Sequence, residues 1–203
     1  NGSNNSFKEI DINVEERPTG EISVTAGFGT SGETIGAGIR ENNFLGKGIK
    51  LNTNIEVTSE TIKGQFIYAK PNFNYSDNTL FTSINSSTSD FLTDSGYKTS
   101  EIGFSLGTKF EQFQNIFLSP EIDFLIEDLE TTSDASNILK KQEGSYTDLY
   151  FNYSINQDLR DKKFRTEDGY VTTFSQELPL VSDNSEISNA FEITNYRKLS
   201  STS

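Results

Sequence analysis

Apolar and polar residues alternate along most of this chain. Ile22, Val24, Ala26 and Phe28 alternate with Ser23, Thr25, Gly27 and Gly29; Ile35, Ala37 and Ile39 alternate with Gly36, Gly38 and Arg40. The same period recurs through Ile49 to Val57, Ile102 to Phe110 and Leu149 to Asn156. Successive side chains of a strand point to opposite faces, so each segment has one apolar and one polar face. Further strands are expected at about 61–70, 79–89, 115–127, 169–178 and 186–198, each followed by turn residues. The pattern predicts about ten strands in an all-β antiparallel meander, with one short helix around Ala135 to Lys141.

Many of these segments reach ~10 residues, longer than the ~5–6 of soluble sheets and about what a tilted strand needs to cross a bilayer. The turns also fall into two sets. Every second one carries aromatics: Phe44, then Phe73 and Tyr75, then Phe113 and Phe117, then Phe164 and Tyr170. The turns between them include SSTSDFLTDSG and EDLETTSDASNILKKQEG, which are polar and read as longer. Short turns with an aromatic girdle on one edge, and long polar loops on the other, are an outer-membrane barrel asymmetry.

Composition sharpens this picture. Aromatics are 12% of the 203 residues, with 16 Phe, yet only 33% are hydrophobic and the mean hydropathy is negative. Strands with one greasy and one wet face give that combination. No run approaches the ~18 apolar residues of a membrane helix, but membrane strands escape such a scan. The net charge of -13 argues against nucleic acid as a partner, and the acidic pI of 4.4 against simple adhesion to anionic lipid. Cys is absent, so no disulfide framework or thiolate metal site holds the fold. Met is absent even at position 1, and no signal peptide is visible, so the chain is expected to be part of a longer protein.

Little in the sequence points to catalysis. With no His, Ser-His triads and His-ligated metals are excluded. The acidic pairs Glu121/Asp123, Glu127/Asp128 and Asp158/Asp161 read as lumen or solvent surface, because acid–base work needs pockets that split carboxyl pKa values. GFGTSGETIGAG superficially suggests a phosphate loop, but its glycines recur at period two inside strands. No catalytic, metal or cofactor residues are expected.

Four motifs in order carry a family resemblance. Glu16, Arg17, Pro18, Thr19 and Gly20 form a linker ahead of a Gly-rich strand, and Asn42, Asn43, Phe44, Leu45, Gly46 and Gly48 form a first turn. Tyr68, Lys70, Pro71, Asn72 and Phe73 end a fourth strand; Arg160, Asp161, Asp168 and Gly169 make a turn between the eighth and ninth. From about Phe7 to its end the chain resembles the BamA family of outer-membrane β-barrel assembly proteins, in the POTRA and bacterial surface antigen superfamily. The resemblance implies part of a transmembrane barrel, about ten strands of about sixteen, without the family's Val-Arg-Gly-Phe lumen loop. It implies that residues 1–18 are the tail of the last POTRA domain with its linker, and 19–203 the N-terminal part of the barrel.

It further implies residence in the outer membrane of a Gram-negative bacterium, POTRA side periplasmic. The expected activity is insertion of nascent β-barrel proteins by strand pairing at a lateral seam. The implied partners are lipid, nascent barrel chains and Bam-type accessory lipoproteins recruited through POTRA domains. The seam is the first strand, Gly20, Glu21, Ile22, Ser23, Val24, Thr25, Ala26, Gly27, Phe28 and Gly29, running to about Thr30. The periplasmic turns carry Asn43, Phe44, Gly46, Pro71, Phe73, Arg160, Asp161, Asp168 and Gly169. A passive outer-membrane channel or secretion pore fits the alternation as well, and a soluble β-rich binding or adhesion domain is a third reading.

Overall fold

A computed structural model describes residues 13–15, 17–29, 32–183 and 186–199. One ten-stranded sheet accounts for almost all of them: β1 (Gly20–Gly29), β2 (Gly32–Phe44), β3 (Ile49–Val57), β4 (Thr61–Lys70), β5 (Thr79–Phe91), β6 (Tyr97–Phe113), β7 (Ile116–Thr131), β8 (Gly144–Asp158), β9 (Asp168–Val181) and β10 (Ser188–Arg197). Every strand pairs antiparallel with its sequence neighbours, in the order β1 to β10. The expected helix is present as α1 (Asn137–Lys141), capped at its start by the Ser136 side chain. Of the expected POTRA tail and linker, residues 1–18, only 13–15 and 17–18 are among the described residues.

Register sorts the side chains as alternation predicts. Phe104 sits opposite Ile84 on β5 and Phe124 on β7, and Ile102 opposite Ile126. Ile22, Val24 and Ala26 face Ile39, Ala37 and Ile35 across β1 and β2. One face of the sheet is therefore apolar from edge to edge. On the other, Ser105 faces Asp123, Asp123 faces Tyr150, and Glu121 lies between Gly107 and Asn152.

The polar face is the concave one. Side chains of a curved sheet converge on its inner side. Gly103 and Gly107 are buried there, and a Cβ at Gly103 would run into the Asn85 amide, one at Gly107 into the Phe81 ring. On the apolar face a Cβ at Gly64 would meet nothing within 4 Å. Ile102, Phe104 and Leu106 are correspondingly 57%, 46% and 47% exposed. Among the described residues only Ile49, Leu129 and Ala135 are buried hydrophobics. A soluble barrel or sandwich of this size would enclose its Phe and Ile residues; this sheet turns them outward.

The loops differ from expectation. Turns with aromatics were expected to be short and the opposite loops often longer, yet 71–78 and 159–167 are longer than 92–96. The strands also run further into the Ser/Thr-rich segments than expected: past residue 89, Asp90 and Phe91 pair with Lys98 and Tyr97, and past 127, Asp128 to Thr131 pair with Ser100 to Tyr97. Ser and Thr were read as loop formers, but antiparallel pairing satisfies their backbone groups as well as water does, and Thr favours strands. β6 has 17 residues and β7 has 16. At ~3.3 Å per residue they are nearly twice the ~30 Å hydrocarbon thickness. The asymmetry lies in how far strands extend, and only 132–143 is a long connection on that rim.

If the convex face meets lipid, Phe104→Arg near the middle of β6 should destabilise the membrane-folded state by about 2–4 kcal/mol, whereas Ser105→Arg on the concave face should cost much less. Urea titration of protein refolded into phospholipid vesicles measures both; equal costs would contradict the assignment of faces.

Candidate functional site

β1 bonds through only one side. Its ladder to β2 runs unbroken from Gly20 opposite Glu41 to Gly29 opposite Gly32, and among the described residues no strand pairs with its other side. Every residue of β1 is exposed, with Ile22 at 78%, Val24 at 76% and Phe28 at 87%. Such a strand presents a row of backbone donors and acceptors beside an apolar outer face. All ten residues singled out from the sequence, Gly20 to Gly29, lie on this edge; Thr30 is outside the described residues. The outer edge of β10 is likewise unpaired among the described residues.

The start of β1 is tied to the first turn, a feature the sequence reading did not identify. The Thr19 hydroxyl donates to Glu41 Oε1, and that oxygen also accepts the Asn43 backbone N–H at 2.7 Å. Asn42 donates to the Thr19 carbonyl through both its backbone N–H and its side-chain amide, at 3.3 Å each. Gly20 directly faces Glu41, and a Cβ there would lie 2.9 Å from Glu41 Oε2, so glycine leaves the carboxylate free to reach Thr19. The Asn43 side chain in turn accepts the Gly48 N–H at 2.6 Å. Lys47 N–H donates to the Phe44 carbonyl across Leu45 (φ 56) and Gly46 (φ 68), the left-handed pair of a primed hairpin turn. A Glu four residues before Leu45 was the available signal, but its partner is 22 positions away.

The other motif residues also gather at turns on this rim. After Pro71, the Phe73 N–H donates to the Asn78 carbonyl at 2.8 Å and Lys70 Nζ stands 5.7 Å from the Phe73 ring centre. In the 159–167 turn, Arg160 grips Asp158 through two bonds of 2.8 and 2.7 Å and lies over the Tyr196 ring of β10. Asp161 Oδ1 accepts the backbone N–H groups of Glu167 and Asp168, closing the loop on itself. Gly169 has φ 102, and a Cβ there would strike the Leu159 carbonyl, so this position requires glycine.

Two carboxyls in that turn are held below the ordinary range. For Asp161, partial desolvation works upward, and the backbone N–H groups of Asp168, Glu167 and Lys162 outweigh it. For Glu167, Lys162 is the main cause and Lys198 adds to it. Of the acidic pairs considered for catalysis, Glu121 and Asp123 stay together on the concave face, whereas Glu127 and Asp128 take opposite faces, Asp128 accepting a hydrogen bond from Ser145 on the apolar one. Among the described residues no group of three or more Asp or Glu is placed to hold a metal ion.

The Omp85 superfamily domain model matches residues 43–203. The chain belongs to the Omp85 superfamily. The crystal structure of BamA from Haemophilus ducreyi lacking POTRA domains 1-3 superposes with a TM-score of 0.73 at 22% identity, covering 92% of this chain. The chain spans 39% of the length of that structure. A comparison with curated protein sequences finds no match. This is thus an outer-membrane β-barrel protein of the Omp85 superfamily, with the strand arrangement of a BamA barrel.

Glu41→Ala should release Thr19 and speed hydrogen exchange at the Asn42 amide by about tenfold, the loss of one ordinary hydrogen bond, while amides in mid-β6 keep their rates; unchanged Asn42 exchange would show that the clasp holds nothing. The 159–167 turn should depend on pH with a definite sign. Carboxyls with lowered pKa values stabilise it above the ordinary carboxylate range, and that contribution is lost as pH falls through their folded values. The amide shifts of Glu167 and Asp168, followed by NMR in micelles, should titrate with midpoints below those of free Asp and Glu carboxyls. Asp161→Asn should remove the Asp161 part of the transition at the Asp168 amide while the titration of Glu167 persists.

Proposed function

We propose that this chain forms the seam side of an insertase that folds β-barrel proteins into the outer membrane. The observation that carries the reading is β1: a one-sided ladder, exposed throughout, with Ile22, Val24 and Phe28 on its outer face. A nascent strand entering lipid would leave each unpaired N–H and C=O several kcal/mol too costly. An edge that offers a pairing row at the membrane removes that cost by β-augmentation. Gly27 and Gly29 lower the packing holding β1 in place, so it can exchange partners.

In this reading residues 1–18 are the end of a POTRA domain and its linker, 19–203 the first part of the barrel, and the rim carrying turns 45–48 and 159–167 is periplasmic. The Thr19–Glu41 clasp then couples POTRA movement to the foot of the seam. The substrates are nascent outer-membrane barrel chains, and Bam-type lipoproteins act through POTRA domains. Strand exchange needs no covalent chemistry, so the reading assigns no catalytic residue. The second reading, a passive channel or secretion pore, uses the polar concave face and leaves β1 idle.

These 203 residues contain no Cys, so no thiol in this part of the barrel competes with a designed disulfide. Ser23→Cys on β1, paired with a cysteine on the strand that closes the barrel, locks the seam. In proteoliposomes, oxidation should slow insertion of a small barrel substrate by about tenfold or more, a change worth about 1.4 kcal/mol in barrier, and reductant should restore it. Insertion at the unlocked rate with the disulfide formed would remove the seam mechanism and favour the passive pore.

A further inference from the structure

We propose that the rim formed by turns 45–48, 71–78, 114–115 and 159–167 is a docking surface for anionic phospholipid headgroups. The chain as a whole is acidic, with a net charge of -13, which by itself predicts repulsion from such lipids. The meander redistributes that charge. Because consecutive turns lie on opposite rims, Lys47, Lys70, Lys162, Lys163, Arg165 and Lys198 gather at one end of the sheet. Glu60, Asp90, Asp94, Glu130, Asp134 and Glu143 gather at the other.

Carboxylates on the basic rim are largely engaged. Asp158 is held by Arg160, Asp161 by backbone amides, Glu167 by Lys162 and Lys198, and Glu111 by the Asn115 N–H. Lys47, Lys163 and Arg165 make no ion pair among the described residues. Beside these cations stand exposed apolar groups: Leu45 next to Lys47, Tyr75 in the second turn, and Phe164 at 79% exposure between Lys163 and Arg165. Arg165 lies 5.6 Å from the Phe164 ring centre. Aromatic rings that reach the acyl boundary, with cations at headgroup level beside them, are the pairing an anionic lipid interface favours. On the opposite rim the described cations Lys98, Lys140 and Lys141 stand among Glu60, Asp90, Asp94, Glu130, Asp134 and Glu143, so phosphate headgroups would select the basic end of the sheet.

This inference rests on membrane residence and not on insertase activity. The test is boundary-lipid selectivity: spin-labelled phosphatidylglycerol against phosphatidylcholine around the protein reconstituted in phosphatidylcholine vesicles. The wild type should prefer the anionic lipid, and the preference should collapse at about 1 M salt. Lys47→Glu, Lys163→Glu and Arg165→Glu together should reduce it by about fivefold or more. Lys98→Glu, Lys140→Glu and Lys141→Glu change the net charge equally on the opposite rim and should leave it within about twofold. Circular dichroism of both variants in vesicles checks that the sheet remains. No preference in the wild type, or the same loss in both variants, would overturn the proposal. So would an unchanged preference in the first variant, the result expected if another part of the protein covers this rim.

Discussion

Backbone hydrogen bonding in a medium without water is the constraint on which the rest depends. An N–H or C=O facing hydrocarbon must find a partner within the protein. A meander in which every strand pairs with its sequence neighbours meets that demand with short connections, and this sheet does so from β1 to β10. What remains is the edge. Among the described residues β1 satisfies its groups toward β2 alone, and its unpaired row is both the liability of an open sheet and the feature on which strand templating would act.

The same constraint explains why the structure has almost no core. A single curved layer has no second layer to pack against, so its apolar side chains are left for lipid and its polar ones crowd the concave face. Stability then comes from ladders, cross-strand pairs and turns. Turn residues such as Asn43, Asp161 and Gly169 therefore carry structural weight that a globular protein would assign to buried Leu and Ile. The clasp between Thr19 and Glu41 belongs to this economy: it fixes the foot of an edge strand through a side chain of the next one.

The strand count, the strand positions, the face each side chain takes and the short helix were legible in the sequence, because alternation and turn residues are local signals. The four ordered motifs also pointed to the superfamily that the domain match establishes. Loop lengths were not legible. Asp90, Phe91 and Asp128 to Thr131 lie in loop-like sequence beyond the expected strand ends, and only pairing across β5, β6 and β7 makes them strand. For the candidate site, the sequence located β1 and the turn residues. It missed Glu41, whose partner Thr19 becomes a neighbour only through the register of β1 on β2.

Sequence alone determined which residues could share a face, since period two is a property of the extended backbone and needs no partner. It did not determine which residues share a rim. That requires the meander to place every second turn at the same end, and it turns an acidic chain into one with a basic end and an acidic end. Tertiary structure likewise decided which face is concave, because curvature arises from the whole sheet, and the crowding it produces around Gly103 and Gly107 exists only when neighbouring strands converge.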